Sequence, residues 1–385
     1  MEYRHPVYRT ITRMDGGPHT TQLVSALGFA LAFIFGYVGN KTSFCTLGAV
    51  SDIVNMGDWN RMRMWLLAIA VAILGANGLA LAGLVDLSRS FYAGPNFLWL
   101  SFIVGGLLFG AGMTLGSGCG SKTLIRIGTG NLKSVVVAVF LAIAAYMTLK
   151  GLFAQWRVTL LAPVAVNFEA WGLKGQDLPT LFAGATGDRR AWQLILAVVL
   201  GGALLAFVFK ARDFRASREY LLGGVVVGLL VAAGWYVTGH LGYRENPETL
   251  DMAFFGTNSR MAESLTFVAP FAYGLELLML WSDKSLGITF GIATVAGVIA
   301  GSAVYALVSR TFRWESFTSA ADMGRHMLGG TLMGFGGVTA LGCTVGQGIT
   351  GFSTLALGSI LTFCAIIVGA AATMKFEYWR MLREK

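Results

Sequence analysis

The sequence predicts an all-α, polytopic integral membrane protein, and three observations carry that prediction. Only 13% of the 385 residues are charged, against about 25% in a soluble domain. Mean hydropathy is +0.65. Ten apolar runs recur along the chain, most of them close to the roughly 20 residues that a span requires. The lipid bilayer is therefore the first expected partner. The net charge of +9 reads as the cationic loops of a membrane protein, and no nucleic-acid partner is inferred from it.

In order, the runs lie near 21–39, 63–85, 97–115, 131–150, 191–209, 220–238, 264–281, 286–308, 326–341 and 353–374. Residues 1–20 form a basic N-terminal tail. No small-residue cleavage site closes a short apolar core there, so no cleaved signal peptide is expected. Residues 21–154 make a first membrane repeat. Residues 155–190 mix Pro, Trp and scattered charge and read as an extramembrane or interfacial connection. Residues 191–374 hold the remaining spans and a second membrane repeat, with a polar connection at 239–262. Residues 375–385 form a basic C-terminal tail. The loop cations Lys210, Arg212, Arg215 and Arg218, with Lys375, Arg380, Arg383 and Lys385, mark the cytoplasmic face.

The two halves repeat. GGLLFGAGMTLGSGCGSKTLIRIG (105–128) aligns without a gap to GGTLMGFGGVTALGCTVGQGITGF (329–352), 224 residues later. The matches include Gly105/Gly329, Gly112/Gly336, Gly118/Gly342 and Cys119/Cys343. KTSFCTLG (41–48) falls near the counterpart of AESLTFVA (262–269), which lacks the cysteine. Duplication of this kind gives two pseudo-symmetric halves, with the substrate site where they meet. The order of the spans leaves open whether the halves run parallel or inverted.

LGSGCGSKT (115–123) approaches a phosphate-binding loop, but Ser121 stands where its second glycine belongs and no βαβ pattern surrounds it. In the second copy Gly346 and Gln347 replace Lys122 and Thr123. The better reading is a re-entrant half-helix in each half. Irregular backbone at membrane depth is tolerated where it is buried in protein or lines a cavity. Gly118, Gly120 and Gly342 permit tight turns and close approach, and the N–H groups of each half-helix face an anion. Ser117, Ser121, Lys122, Thr344 and Gln347 flank the two loops as candidate pathway residues. Thiols are weak, polarizable donors, so Cys119 and Cys343 suit a substrate bearing soft sulfur. Cys45 sits in a similar Gly-flanked break, whereas Cys364 lies in an unbroken apolar run and reads as filler.

The charged residues leave alternatives open. Lys122 and Arg126 share a helix face, where they either attract an anion or snorkel; Lys41 is similar. Asp52, Asp58, Arg61 and Arg63 read as an interfacial ion-pair group. Glu276, inside an expected span, either carries protons or makes a helix-packing hydrogen bond.

GSGCGSKTLIRIGTGN, GGVTALGCTVGQGITGFSTLALGS and SFCTLGAVSD together resemble the YeeE/YedE sulfur-transport family, over residues 22 to 374. The resemblance implies an hourglass-like fold and loops near the membrane centre whose cysteines pass thiosulfate along. By position those cysteines are Cys45, Cys119 and Cys343. It also implies a bacterial inner-membrane location and work beside a small, separate sulfurtransferase of the TusA type.

The leading function is therefore uptake of a small sulfur anion, thiosulfate first, and not catalysis. The alternatives are a membrane thiol oxidoreductase using Cys119 and Cys343, or a permease for another sulfur or selenium compound. The lack of any C-x-x-C weakens the former. A metal permease ranks last, because the four histidines form no cluster with the cysteines. No cofactor or metal is expected.

Overall fold

The computed structural model describes residues 17–247 and 249–383. Most of the N-terminal tail, with the signal-peptide reading attached to it, and Lys385 lie outside them. Fifteen α-helices carry the fold among the described residues. They are α1 (Pro18–Lys41), α2 (Thr46–Met56), α3 (Asn60–Leu81), α4 (Trp99–Leu115), α5 (Gly120–Gly128), α6 (Leu132–Lys150), α7 (Leu152–Trp156) and α8 (Leu178–Thr186). There follow α9 (Arg189–Phe209), α10 (Arg212–Ala216), α11 (Arg218–Tyr236), α12 (Ala269–Met279), α13 (Phe290–Val308), α14 (Ala320–Thr339) and α15 (Leu357–Arg383). The only strands described are two short antiparallel pairs: β1 (Asn96–Phe97) with β2 (Val166–Asn167), and β3 (Tyr243–Glu245) with β4 (Met252–Phe254).

Eight helical stretches are long and apolar enough to cross a membrane, from His19–Met56 to Leu357–Arg383. The chain is thus an all-α polytopic membrane protein. Two expected spans differ from expectation. The run at 264–281 holds only the 11-residue α12, because residues 263–268 are irregular. The run at 326–341 belongs to the 20-residue α14. Its first turns carry Asp322, Arg325 and His326, which leave it less apolar than the eight crossing stretches. Residues 375–383 continue α15 as helix.

Glycine ladders set how closely the helices approach. α4 runs antiparallel to α14: a Cβ on Gly105 would lie 2.7 Å from backbone atoms of Gly336 and Ala340, and one on Gly112 the same distance from Gly329 and Met333. α4 runs parallel to α15, with Gly106 against Thr362 and Ala365, and Gly110 against Gly369 and Ala370. The two Gly-Cys segments are therefore traversed in opposite directions. Where lipid supplies no hydrophobic drive between helices, this backbone-to-backbone packing holds them together.

The connection at 155–190 is docked onto the membrane helices. Leu178 N–H donates to the Leu355 carbonyl at 3.0 Å, and Leu357 N–H donates to the Gln176 carbonyl at 3.2 Å. Asp177 is buried, caps α8 and pairs with Arg189 at 3.0 Å. The segment thus braces the turn that opens α15.

Not every glycine packs. A Cβ on Gly202 would meet nothing within 4 Å. We expect Gly112→Ala to destabilise the protein by about 1–3 kcal/mol through overpacking. Gly202→Ala should be neutral or stabilising by up to about 1 kcal/mol through helix propensity. Thermal unfolding in detergent, read by loss of the monodisperse peak, checks the pair; equal midpoints would contradict the ladder.

Candidate functional site

Three helices end inside the protein in the same way. At each end a residue with positive φ is followed by one residue and then by a cysteine: Ser43 (φ 50°) before Cys45, Ser117 (φ 58°) before Cys119, and Leu341 (φ 58°) before Cys343. The intervening N–H folds back to a carbonyl five residues earlier. Phe44 donates to Gly39 at 2.9 Å, Gly118 to Met113 at 2.9 Å and Gly342 to Gly337 at 2.7 Å. This is the Schellman cap, which satisfies orphan carbonyls at a helix C-terminus. It normally uses glycine at the left-handed position. Serine and leucine there cost about 1–2 kcal/mol each. The sequence placed the turn on Gly118 and Gly342; the structure moves it one residue earlier.

Each cysteine then begins the next helix. Cys45 caps α2 and accepts from Gly48 N–H at 3.5 Å. Cys343 accepts from Gly346 N–H at 3.3 Å, at the head of a ten-residue helix, 344–353, that is π-wound over Gly346–Gly351. Cys119 occupies the N-cap position of α5 with no side-chain cap bond, its Sγ lying 3.3 Å from Ser121 Oγ. π-Turns of this kind concentrate at functional sites.

The three breaks converge. The Cys45 and Cys119 thiols interact directly, Cys119 faces the Thr344 side chain, and Cys343 lies next in line. Cys119 and Cys343 are wholly buried, and Cys45 is 7% exposed. All four cysteines are free; Cys364 is exposed on the outer face of α15. The hydroxyl oxygens of Thr46, Thr344 and Tyr92, and Gln347 Oε1, are buried without a hydrogen-bond partner among the described residues. Buried polar atoms are nearly always paired, so a cluster of unpaired ones around three thiols fits a site that meets a polar ligand.

Two cavities approach this cluster from opposite ends. A vestibule of about 1080 Å³ reaches Cys45 and is lined by Gly48, Arg61, Ser117, Lys122 and Arg126, with Arg325 and Lys375 farther out. Arg61 pairs with Asp52 at 3.2 Å. Arg126 donates to the Ser117 carbonyl at 2.7 Å. Lys122 has neither an ion pair nor a hydrogen bond among the described residues, so its charge faces the vestibule. The second cavity, about 180 Å³, is lined by Leu341, Gly342, Glu263, Ser264, Thr266 and Tyr273. It lies at the far end of α6, where Lys150 pairs with Glu276 at 2.5 Å. Glu276 thus makes an ion pair between helices.

Of the residues picked from sequence, Cys45, Ser117 and Lys122 line the vestibule, and Cys119, Ser121, Cys343 and Thr344 are buried between the cavities. Gly342 lines the smaller cavity. Gln347 donates to the Ala340 carbonyl at 2.5 Å and stitches the second break, as Arg126 stitches the first. Gly118 packs on Lys122, where a Cβ would sit 3.2 Å from that side chain. At Gly120 the nearest atom to a Cβ is 3.5 Å away, so nothing there demands glycine. Lys41 is exposed at the end of α1 and lines neither cavity. Sequence reasoning missed Thr46, Tyr92, Thr266 and Glu263. Thr266 was within reach, because it lies in the stretch near the counterpart of KTSFCTLG.

Residues 41–372 match the family model described as "Sulphur transport". The chain belongs to the sulphur-transport family. Similar proteins include the thiosulfate transporter TsuA of Spirochaeta thermophila, 26% identical over 347 residues, or 89% of this chain and 96% of that one. The thiosulfate transporter TsuA of Escherichia coli is 25% identical over 339 residues, covering 84% of this chain and 86% of it. The sulphur-transport match contains all three breaks and begins just before the first of them.

The burial order makes a labelling prediction. A small charged thiol reagent added to the vestibule side should modify Cys45 first. Cys119 and Cys343 should stay protected in folded protein and react on denaturation. Mass spectrometry of single-cysteine variants reads the order; Cys343 reacting before Cys45 from that side would contradict the geometry.

Proposed function

We propose that the protein takes up a small sulfur-containing anion, thiosulfate first, across the bacterial inner membrane. The observation that carries this reading is the row of buried thiols, Cys45, Cys119 and Cys343, between two cavities at opposite ends of the protein. The terminal sulfur of thiosulfate is soft and accepts weak S–H donors well. Lys122 is the cation beside the row, at its vestibule end next to Cys45 and Cys119, and elsewhere the anion meets several weak sites in sequence. Conduction needs such weak, multiple binding. Unpaired hydroxyls of Thr46 and Thr344 supply donors to the oxyanion end. The family match and the names of the two relatives support the same substrate class.

Direction follows from charge. Lys375 and Arg325 at the vestibule rim lie on the side of the C-terminal basic residues, and cationic loops favour the cytoplasm. The anion thus enters through the smaller cavity, passes Cys343, Cys119 and Cys45, and leaves into a cationic vestibule that lowers its energy on arrival. A separate sulfurtransferase of the TusA type is a fitting acceptor at that face.

Uptake of sulfur-labelled thiosulfate into proteoliposomes tests the proposal, with sulfate, sulfite and selenite as competitors. Cys119→Ala should abolish uptake, Cys45→Ala and Cys343→Ala should reduce it at least tenfold, which equals about 1.4 kcal/mol in barrier, and Cys364→Ala should leave it unchanged. Failure of the intact protein to take up thiosulfate would sink the reading. A Cys364 variant as damaged as Cys119→Ala would sink the assigned path.

A further inference from the structure

The smaller cavity holds a group that an anion pathway has no obvious use for. Glu263 lies in the connection between β4 and α12, outside the spanning helices, with its side chain in the cavity wall and only 7% exposed. Its backbone is fixed: Thr238 Oγ1 donates to its carbonyl at 2.5 Å, and its N–H donates back to that hydroxyl at 3.1 Å. Its carboxyl accepts from Ser259, through Oγ at 2.8 Å and with the Ser259 backbone N–H also turned toward it. No Lys, Arg or His pairs with it among the described residues. The groups facing it are the Tyr92 and Tyr273 hydroxyls, with the Lys150–Glu276 ion pair behind Tyr273. Both tyrosines are uncharged near neutrality, and Lys150, the cation beside Tyr273, is already matched by Glu276.

A buried carboxylate with no cation and donors from one residue only is costly, and such a group takes up a proton instead. Burial accordingly pushes the Glu263 carboxyl up to about 7, with the Ser259 hydrogen bond opposing the shift. The two forms differ sharply in effect on an anion. The carboxylate repels a dianion across a cavity of about 180 Å³. The neutral acid offers it an O–H donor beside Ser264 and Thr266.

Resting on the uptake reading above, we propose that the smaller cavity is an anion-reception site that accepts its ligand only when Glu263 is protonated. Anion and proton then bind with positive linkage: each raises the affinity for the other. The proton comes from the outer solution and sits on the carboxyl oxygen while the anion occupies the cavity; no covalent step is involved. Thiosulfate remains a dianion throughout this pH range, so the pH dependence belongs to the protein.

The experiment is initial thiosulfate uptake into proteoliposomes with equal pH inside and out, from pH 5.5 to 8.5. Uptake should be high below the midpoint and fall toward tenfold per pH unit above it, as the fraction of acid does. Glu263→Gln, a permanent donor, should transport at a rate that no longer follows pH. Ser259→Ala removes the bond that favours the carboxylate, so its midpoint should move to higher pH. A flat profile in the intact protein, or an unchanged slope in Glu263→Gln, overturns the proposal while leaving thiosulfate uptake standing. Absence of uptake at every pH overturns the uptake reading instead. The infrared carboxylic-acid band then decides the protonation directly: its presence at pH 6 and loss in Glu263→Gln is expected, and its absence at pH 6 refutes the proposal.

Discussion

Everything in this molecule depends on ending helices inside a membrane without leaving backbone groups bare. A helix that stops at depth exposes several carbonyls, and one that starts there exposes several N–H groups, each expensive away from water. The protein solves both problems within four or five residues. A Schellman cap closes the incoming helix, and a cysteine stands at once at the start of the outgoing one, its sulfur accepting a backbone N–H at Cys45 and Cys343. The donors left over at the new N-termini are those that a substrate would meet in the proposed uptake. Structural economy and the binding site thus come from the same turn.

Such turns need a rigid surround, and the glycine ladders provide it. Gly105 and Gly112 of α4 bring its backbone against that of α14, and Gly330 and Gly334 bring α14 against α6. The breaks that carry Cys119 and Cys343 are therefore held by helices in backbone contact rather than by long, adjustable side chains. That rigidity matters because the left-handed conformations at Ser43, Ser117 and Leu341 are sustained only where neighbours over-determine them. Relaxing a ladder should loosen a thiol many ångströms away.

Much of this was legible in the sequence. Span positions followed from hydropathy, and the Gly-Cys repeat located two of the three breaks. What stayed hidden has physical reasons. The left-handed residues are serine and leucine, so the usual glycine signal pointed one position too late. Residues 264–281 are apolar enough for a span, yet their first part is spent reaching into the protein before α12 begins at Ala269. The polar start of α14 read as loop because composition cannot tell a charged helical turn outside the lipid from a connection. The docking of 155–190 beneath α15 rests on backbone hydrogen bonds at Gln176 and Leu178, which carry no side-chain signature. Glu263 was passed over because a lone carboxylate in a polar stretch looks solvated until its surroundings are known.

On the proposed reading, the two cavities would make an anion path selective without a deep well. The cations stand at one end only, and Arg61 and Arg126 are partly spent on Asp52 and the Ser117 carbonyl. A fully exposed guanidinium row inside the path would bind sulfate as well as thiosulfate and hold either too tightly to release. Thiols invert that preference. They offer little to a hard, strongly hydrated oxyanion, which loses its water on entering, and more to a polarizable sulfur that held its water weakly. Discrimination then arises from what the path withholds from the wrong ion, which is how specificity is gained without raising affinity for the right one. On the same reading, a threonine, Thr266, suffices in the stretch near the counterpart of Cys45. That position lies in the wall of the smaller cavity, where water still reaches, and a hydroxyl serves an incoming oxyanion better than a thiol before the sulfur end must be recognised.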